Sequence, residues 1–307
     1  NAASVRDLIA ELPYYYDEPF GDPSMIPTSL VCRVARQHVT VSLSGTGGDE
    51  IFGGYPRYNE FVLLKKLNSL PNAVKKMLTG SLGLLNCGLK NDKLNKLQTF
   101  LQDRQPDHVL YLMLFSYMFR TKAESPDCLA PFDDIKKYFK YNSDINNAMN
   151  CDIHEYLPDD LLVKEDRASM AVTLETRVPF LDHMLVEFAA KIPPHFKIRR
   201  GQKKYILKKA VEGIVPENII YRRKQGFAAP VSEWLRNEWS GFAESRILGS
   251  TLVRQGTLRQ DFIKTMLRSH KEHRIDAGQN IWNLLSGSTA CHLNRSSNSS
   301  HLVSLSE

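Results

Sequence analysis

Residues 38–58 read HVTVSLSGTGGDEIFGGYPRY, from His38 to Tyr58. Val39, Val41 and Leu43 alternate with polar or small residues in a β-branched run, the pattern of a short buried strand. Ser44, Gly45, Thr46, Gly47 and Gly48 follow as a loop whose three glycines let backbone N–H groups approach a ligand closely. The carboxylates Asp49 and Glu50 come next. A phosphate-binding P-loop would need Gly-Lys-Ser/Thr after its second glycine, and the dinucleotide fingerprint a third glycine where Glu50 stands, so both are excluded. Carboxylates beside a phosphate repel it unless a divalent ion lies between them. A nucleotide bound here would therefore come with Mg²⁺ on Asp49 or Glu50. The competing local reading is a strand-ending turn with a solvated acid pair.

Upstream, Val5, Leu8, Ile9 and Leu12 fall at helical spacing. The chain opens Asn-Ala-Ala-Ser without methionine and already inside this helix, so it is expected to be a piece of a longer protein. Pro19, Pro23 and Pro27 predict an extended strap carrying Asp17, Glu18 and Asp22, with a helix starting near Thr28. Downstream, Gly53 and Gly54 argue for close backbone packing, since each weakens a helix interior by about 1 kcal/mol relative to alanine. From Phe61 to about Phe139 apolar residues recur at threes and fours, a helical region without a chemical motif.

Residues 154–193 read HEYLPDDLLVKEDRASMAVTLETRVPFLDHMLVEFAAKIP. A helix from Asp159 to Ala171 places Leu162, Asp166, Ser169 and Met170 near one face, and Arg167, Glu175, Arg177 and Asp182 could form buried ion pairs. After Gly201 a further helix is predicted, with Ile206, Leu207, Ala210, Val211 and Ile214 on one stripe and either Lys203 or Lys204 able to turn inward.

The bulk numbers bound the class. A chain of 307 residues with 42% hydrophobic content can bury a sizeable core. The net charge of +6 is dispersed in short groups (Lys65-Lys66, Lys75-Lys76, Lys136-Lys137, Arg222 to Lys224), which reads as solvated helix faces rather than a nucleic-acid surface. Cys32, Cys87, Cys128, Cys151 and Cys291 are odd in number and contain no CxxC pair, which predicts reduced thiols in a cytoplasmic protein with neither disulfides nor a zinc site. No apolar run of about 18 residues predicts a membrane span.

Ser44 to Tyr58, SGTGGDEIFGGYPRY, resembles the second nucleotide-site motif of the glutamine-hydrolysing asparagine synthetases. Four further segments fit the synthetase domain of that family in the same order, over roughly residues 10 to 240: the Asp-Glu-Pro strap, Glu175-Thr-Arg177-Val-Pro-Phe-Leu-Asp182, Lys204 three residues before Leu207-Lys208, and the closing Arg222-to-Pro230 segment with Gly226 and Phe227. The resemblance implies an α/β fold of the adenine nucleotide alpha hydrolase (ATP pyrophosphatase) type, a parallel sheet with a large helical portion. The family's first strand and pyrophosphate loop, Ser-Gly-Gly-x-Asp-Ser, are missing from the chain. Residues 1–285 would form the synthetase domain, partial at its N-terminus, and residues 286–307 a disordered tail.

By the same resemblance the cofactors are ATP and Mg²⁺. Ser44, Gly45, Gly47 and Gly48 would bind the nucleotide and Asp49 the metal. Lys204 would stabilise phosphoryl charge, and an acid shortly before Glu175 would belong to the acyl-transfer site: Asp160, with Asp159 and Asp166 left open. Thr46 stands where the family carries an acid that helps form or consume the aspartyl-adenylate; a threonine can only hydrogen-bond there. The expected partners are aspartate or another carboxylate, ammonia or glutamine, and an upstream glutaminase domain, with no nucleic acid and no membrane; a homodimer is left open. The reaction is amide formation by adenylation of a carboxylate, most simply aspartate. A relative acting on another acid and a non-catalytic scaffold are the alternatives. The chain alone, lacking half of the phosphate cradle, is expected to be inactive.

Overall fold

The computed structural model describes residues 2–89, 101, 104–114, 130–223, 226–227 and 229–289. They divide into two compact units, one built from Asn1–Ser44, Asp160–Arg177 and Lys224–Glu307, the other from Gly45–Asp159 and Val178–Arg223. The chain therefore changes unit inside the glycine loop, between Ser44 and Gly45.

In the first unit, helix α1 (Ala2–Tyr16) buries Val5, Leu8, Ile9 and Leu12, the residues its spacing selected. They join Met25, Ile26, Trp239, Ile247, Ile263, Ile281 and Trp282 in the unit's main core. Helix α2 (Met25–Arg36) starts three residues before the predicted Thr28. Pro27 falls in its first turn, where a missing N–H costs nothing because those donors have no intrahelical partner. The last described residues, 278–289, are helical, with Ser286, Ser288 and Thr289 buried, so the segment assigned to a tail begins inside this helix. Its remainder, 290–307, lies outside the described residues.

Strand β1 (Val41–Leu43) pairs in parallel with β2 (Glu175–Arg177), with Val41 opposite Glu175 and Leu43 opposite Arg177. The Glu175 N–H donates to Thr40 O at 2.9 Å and the Ser44 N–H to Arg177 O at 2.8 Å, extending the ladder at both ends. The alternation is present but the predicted burial is not: Val39, Val41 and Leu43 are 44%, 39% and 74% exposed. A two-stranded sheet supplies no layer to cover that face.

The second unit has two apolar clusters. Tyr58 and Phe61 of helix α4 (Pro56–Asn68) pack with Leu110, Tyr111, Ala148 and Met149, whereas Ile51 and Phe52 of helix α3 (Gly48–Phe52) pack with Ala189, Phe180, Ile206 and Leu207. Beneath α4, Asp152 is fully buried. It accepts from Arg57 Nη2 at 2.6 Å and from the Tyr58 and Tyr111 hydroxyls at 2.7 Å each. The Arg57 guanidinium lies 3.9 Å from the Tyr55 ring centroid and 4.6 Å from that of Tyr156. A buried charge with this many partners fixes the packing around it.

Two further expectations are corrected. Asp166 and Met170 face outward on the Val163–Met170 helix, while Lys164, Ala168 and Ser169 are buried. The predicted single helix from Asp159 to Ala171 is instead a π-helical turn, Leu157–Leu162, joined to a shorter α-helix, which rotates the face that follows. Likewise Tyr205–Ala210 is a short helix, and Ile214, expected on its buried stripe, is 80% exposed because the chain turns at Gly213, whose φ is +80°.

Candidate active site

The second unit holds the glycine loop. Gly47 (φ 88°) and Gly53 (φ 69°) are left-handed and bound α3 on either side, so the motif is a five-residue helix clamped between glycines. Gly47, Gly48 and Gly54 are also constrained by what lies against them. A methyl group on Gly47 would overlap Leu181, one on Gly48 would sit 3.3 Å from Phe180 and 3.5 Å from Lys204 Nζ, and one on Gly54 would overlap Asp49 Oδ1 and Lys204 Cε. Phe180 and Leu181 belong to the Glu175–Asp182 segment and Lys204 to the next one. Three stretches read separately in the sequence thus interlock.

At their junction Lys204 Nζ lies 3.0 Å from Asp49 Oδ1, both side chains being about a quarter exposed, at 26% and 23%. Lys204 does not lie within its helix as the wheel suggested. It precedes Tyr205–Ala210 with φ 51° and ψ 37°, a left-handed conformation that costs a non-glycine residue roughly 1 kcal/mol and concentrates at functional sites. Glu50, the other candidate metal ligand, points away from solvent: it is 1% exposed and accepts from the Tyr55 hydroxyl at 2.5 Å. Burial raises its carboxyl above the usual range despite that donor. Asp49 is therefore the acid able to face a ligand. Among the described residues no three His, Cys, Asp or Glu gather to hold a metal, so an ion at Asp49 would take its other ligands from phosphate and water, the usual habit of Mg²⁺.

Thr46 and Gly45 stand in the turn before Gly47. The Gly45 carbonyl accepts the Gly48 N–H at 3.3 Å, and nothing lies within 4 Å of where a Gly45 side chain would be. Ser44 falls in the first unit, with its amide committed to the strand ladder. Asp160 is also in the first unit, in the π-helical turn, where Lys164 Nζ lies 3.2 Å from its Oδ1 and also binds Asp22. Asp159 and Asp166 are exposed and outside this cluster. The sequence reading missed Lys164, for which the only signal was its spacing of four residues from Asp160.

The charges of the Glu175–Asp182 segment do not form the buried pairs predicted for them. Arg177 Nε meets Glu175 at 2.7 Å at the surface, with the two side chains 65% and 55% exposed. Asp182 caps the His183–Lys191 helix, accepting from the Met184 and Leu185 amides at 3.0 and 3.3 Å. Strand residues that alternate outward cannot bury their charges. Of the closing basic segment, residues 224, 225 and 228 lie outside the described residues.

A helix-rich α/β fold with a parallel strand pair, whose first strand runs into a glycine turn and an acid-bearing helix, is that of an ATP pyrophosphatase-type domain. The asparagine synthase family profile matches residues 1–295. The chain belongs to that family. It is 36% identical over 289 residues to asparagine synthetase (glutamine-hydrolysing) 1 of Bacillus subtilis, covering 92% of this chain and 45% of the relative. Asparagine synthetase (glutamine-hydrolysing) 3 of the same organism is 31% identical over 218 residues, 67% of this chain and 30% of the relative. The human asparagine synthetase (glutamine-hydrolysing) is 32% identical over 81 residues, 25% of this chain and 14% of that protein. The chain spans less than half the length of these relatives. No solved structure matches it at a significant level.

Proposed function

We propose that this chain is the amide-forming part of an ATP-dependent asparagine synthetase. A carboxylate oxygen is a poor leaving group, so joining an acid to ammonia requires prior activation. An aspartate carboxylate oxygen attacks the α-phosphorus of ATP, the bond to the bridging oxygen breaks and pyrophosphate departs; ammonia, derived from glutamine in the parent protein, then attacks the acyl carbon and AMP leaves.

The observation that supports this most directly is the Asp49–Lys204 pair, packed against Gly54, where a methyl group would overlap both side chains. Lys204 presents a fixed cation for phosphoryl charge, set in place by its own backbone conformation. Asp49 Oδ1 already faces a cation, which suits it to hold Mg²⁺; that ion would neutralise phosphate charge when bound. Gly45, Gly47 and Gly48 let the nucleotide approach the backbone, and the Ser44 hydroxyl serves the adenylate. Thr46 hydrogen-bonds where the family carries an acid, and Asp160 serves acyl transfer. The exposed apolar face of β1 suits a covering layer supplied by the rest of the parent protein, in keeping with a domain partial at its N-terminus and an upstream glutaminase domain. Reduced buried thiols at Cys32 and Cys151 suit a cytoplasmic protein.

Thr46 favours a second reading in which the acid is not aspartate. The test is pyrophosphate release by the full-length parent with ATP, Mg²⁺ and ammonia, comparing aspartate with other carboxylic acids. Aspartate-dependent release with asparagine formed is expected. Release with a different acid would replace the substrate, and no release with any acid would turn the proposal to a scaffold without catalysis.

A further inference from the structure

Asp49 stands on a helix too short to hold itself. α3 has five residues, Gly48–Phe52, and an isolated helix of that length is not stable, so the aim of Asp49 is set by what grips α3 from outside. The Asp49 carbonyl accepts the Gly54 N–H at 2.8 Å, which folds the chain back after Gly53. Ile51 and Phe52 enter the apolar cluster around Ala189. A third grip is polar. Glu50, 1% exposed and next to Asp49 in the chain, accepts the Tyr55 hydroxyl at 2.5 Å.

Tyr55 is itself fixed. The Arg57 guanidinium lies over its ring, 3.9 Å from the centroid, and the Tyr58 and Tyr156 rings meet it edge-on at 5.8 and 5.9 Å. Arg57 is paired with the fully buried Asp152 of the Asp144–His154 helix, against which α3 also packs. A line of contacts thus runs from Asp152 through Arg57 and Tyr55 to Glu50, all within the second unit. Among the described residues no cation pairs with Glu50, so burying it is costly and packing alone would favour a neutral residue. What the acid and hydroxyl supply, and an apolar pair would not, is a directional bond one residue from Asp49.

We propose that Tyr55 and Glu50 are positioning residues that aim Asp49 at the divalent ion accompanying the nucleotide. This role rests on the ATP-dependent function proposed above. Neither residue touches the ion or a substrate. The Tyr55 hydroxyl holds Glu50, Glu50 fixes the rotation of α3, and that rotation sets where Asp49 Oδ1 stands, 3.0 Å from Lys204 Nζ. A carboxylate already held within about 0.5 Å of its working position takes an ion without first being ordered.

The experiment uses the full-length parent with ATP and no carboxylic acid substrate, so that nothing turns over, and titrates Mn²⁺, which like Mg²⁺ takes octahedral oxygen ligands. Electron paramagnetic resonance separates Mn²⁺ held on the protein from free Mn²⁺ and from Mn²⁺ on free ATP. The wild type is expected to hold the ion and Asp49→Asn to lose it. Tyr55→Phe keeps the ring and its contact with Arg57, and should weaken Mn²⁺ binding about tenfold. Glu50→Ala should lose as much, whereas Glu50→Gln, which still accepts the hydroxyl, should stay close to the wild type. The double variant Tyr55→Phe/Glu50→Ala should be no weaker than either single one, because both remove the same bond. Tyr58→Phe takes a hydroxyl from the same network without touching Glu50 and should also stay close to the wild type. Wild-type affinity in Tyr55→Phe would overturn this role, as would an equal loss in Tyr58→Phe or losses that add in the double variant. Absence of Mn²⁺ and ATP binding in the wild type would instead overturn the proposed function and with it this role.

Discussion

Lys164 in the first unit and Lys204 in the second both hold aspartates, but one is fixed by backbone and glycine and the other is shared between two acids. Lys204 meets Asp49 on a left-handed backbone and against a glycine, so the pair is sterically fixed. Lys164 is shared by Asp22 and Asp160, so the cluster carries one negative charge too many and one carboxyl moves towards holding a proton. The first arrangement holds a charge in place, and the second loads one ammonium with two carboxylates. Lys197 marks the limit: it is 3% exposed and burial alone lowers it to about 8, with no carboxylate beside it among the described residues.

The largest effect should come where a fully buried carboxylate with several donors is removed. Asp152→Ala removes the buried carboxylate that Arg57, Tyr58 and Tyr111 share and is expected to cost about 3–5 kcal/mol in denaturant unfolding, well beyond any change at the two lysine clusters. If it costs under about 1 kcal/mol, burial is not what separates these pairs.

Gly54→Ala tests whether the Lys204 pair is sterically fixed. The added methyl must displace Asp49 or Lys204, so a loss of about 1–3 kcal/mol is expected together with collapse of adenylation, whereas Gly80→Ala, with open space around it, should leave stability equal or higher. Full adenylation by Gly54→Ala would show that the pair tolerates movement.

Lys197→Met should stabilise the protein by about 1–3 kcal/mol at pH 7. Because the folded protein binds this proton less tightly than the unfolded chain, the gain should be complete below about pH 8 and fade as pH rises towards the ordinary lysine range. Thermal melting at two pH values reads it.

Asp160→Asn should give the smallest change in stability, with the opposite sign to its effect on activity. A carboxyl raised to about 6 disfavours the folded state while ionised, so the variant should gain about 1 kcal/mol above that pH, after allowance for solvent screening. The gain should be lost as pH falls into the ordinary carboxylate range. A melting temperature that falls at pH 7 would mean that the ionised form of Asp160 supports the fold.

Much of this was legible in the chain. The apolar face of α1, the glycine loop with its acids and the close packing at Gly54 all followed from local spacing, and the choice of Lys204, which meets Asp49, from the family resemblance. Local chemistry fixes such features: glycine alone accepts a left-handed turn without strain, and a helical stripe is set by its period.

Other features depended on which distant residues met. That Glu50 turns inward to Tyr55 while Asp49 meets Lys204, that Phe180 and Leu181 close over the glycine loop, and that Lys164 binds Asp22 across 142 residues of sequence could not be read from spacing. The sequence by itself determined the apolar stripe of α1, the turn chemistry and the family. Only the tertiary structure decided which acids are buried, which are paired and which keep a proton, because solvation and Coulomb energy depend on distances in space that residue order does not set.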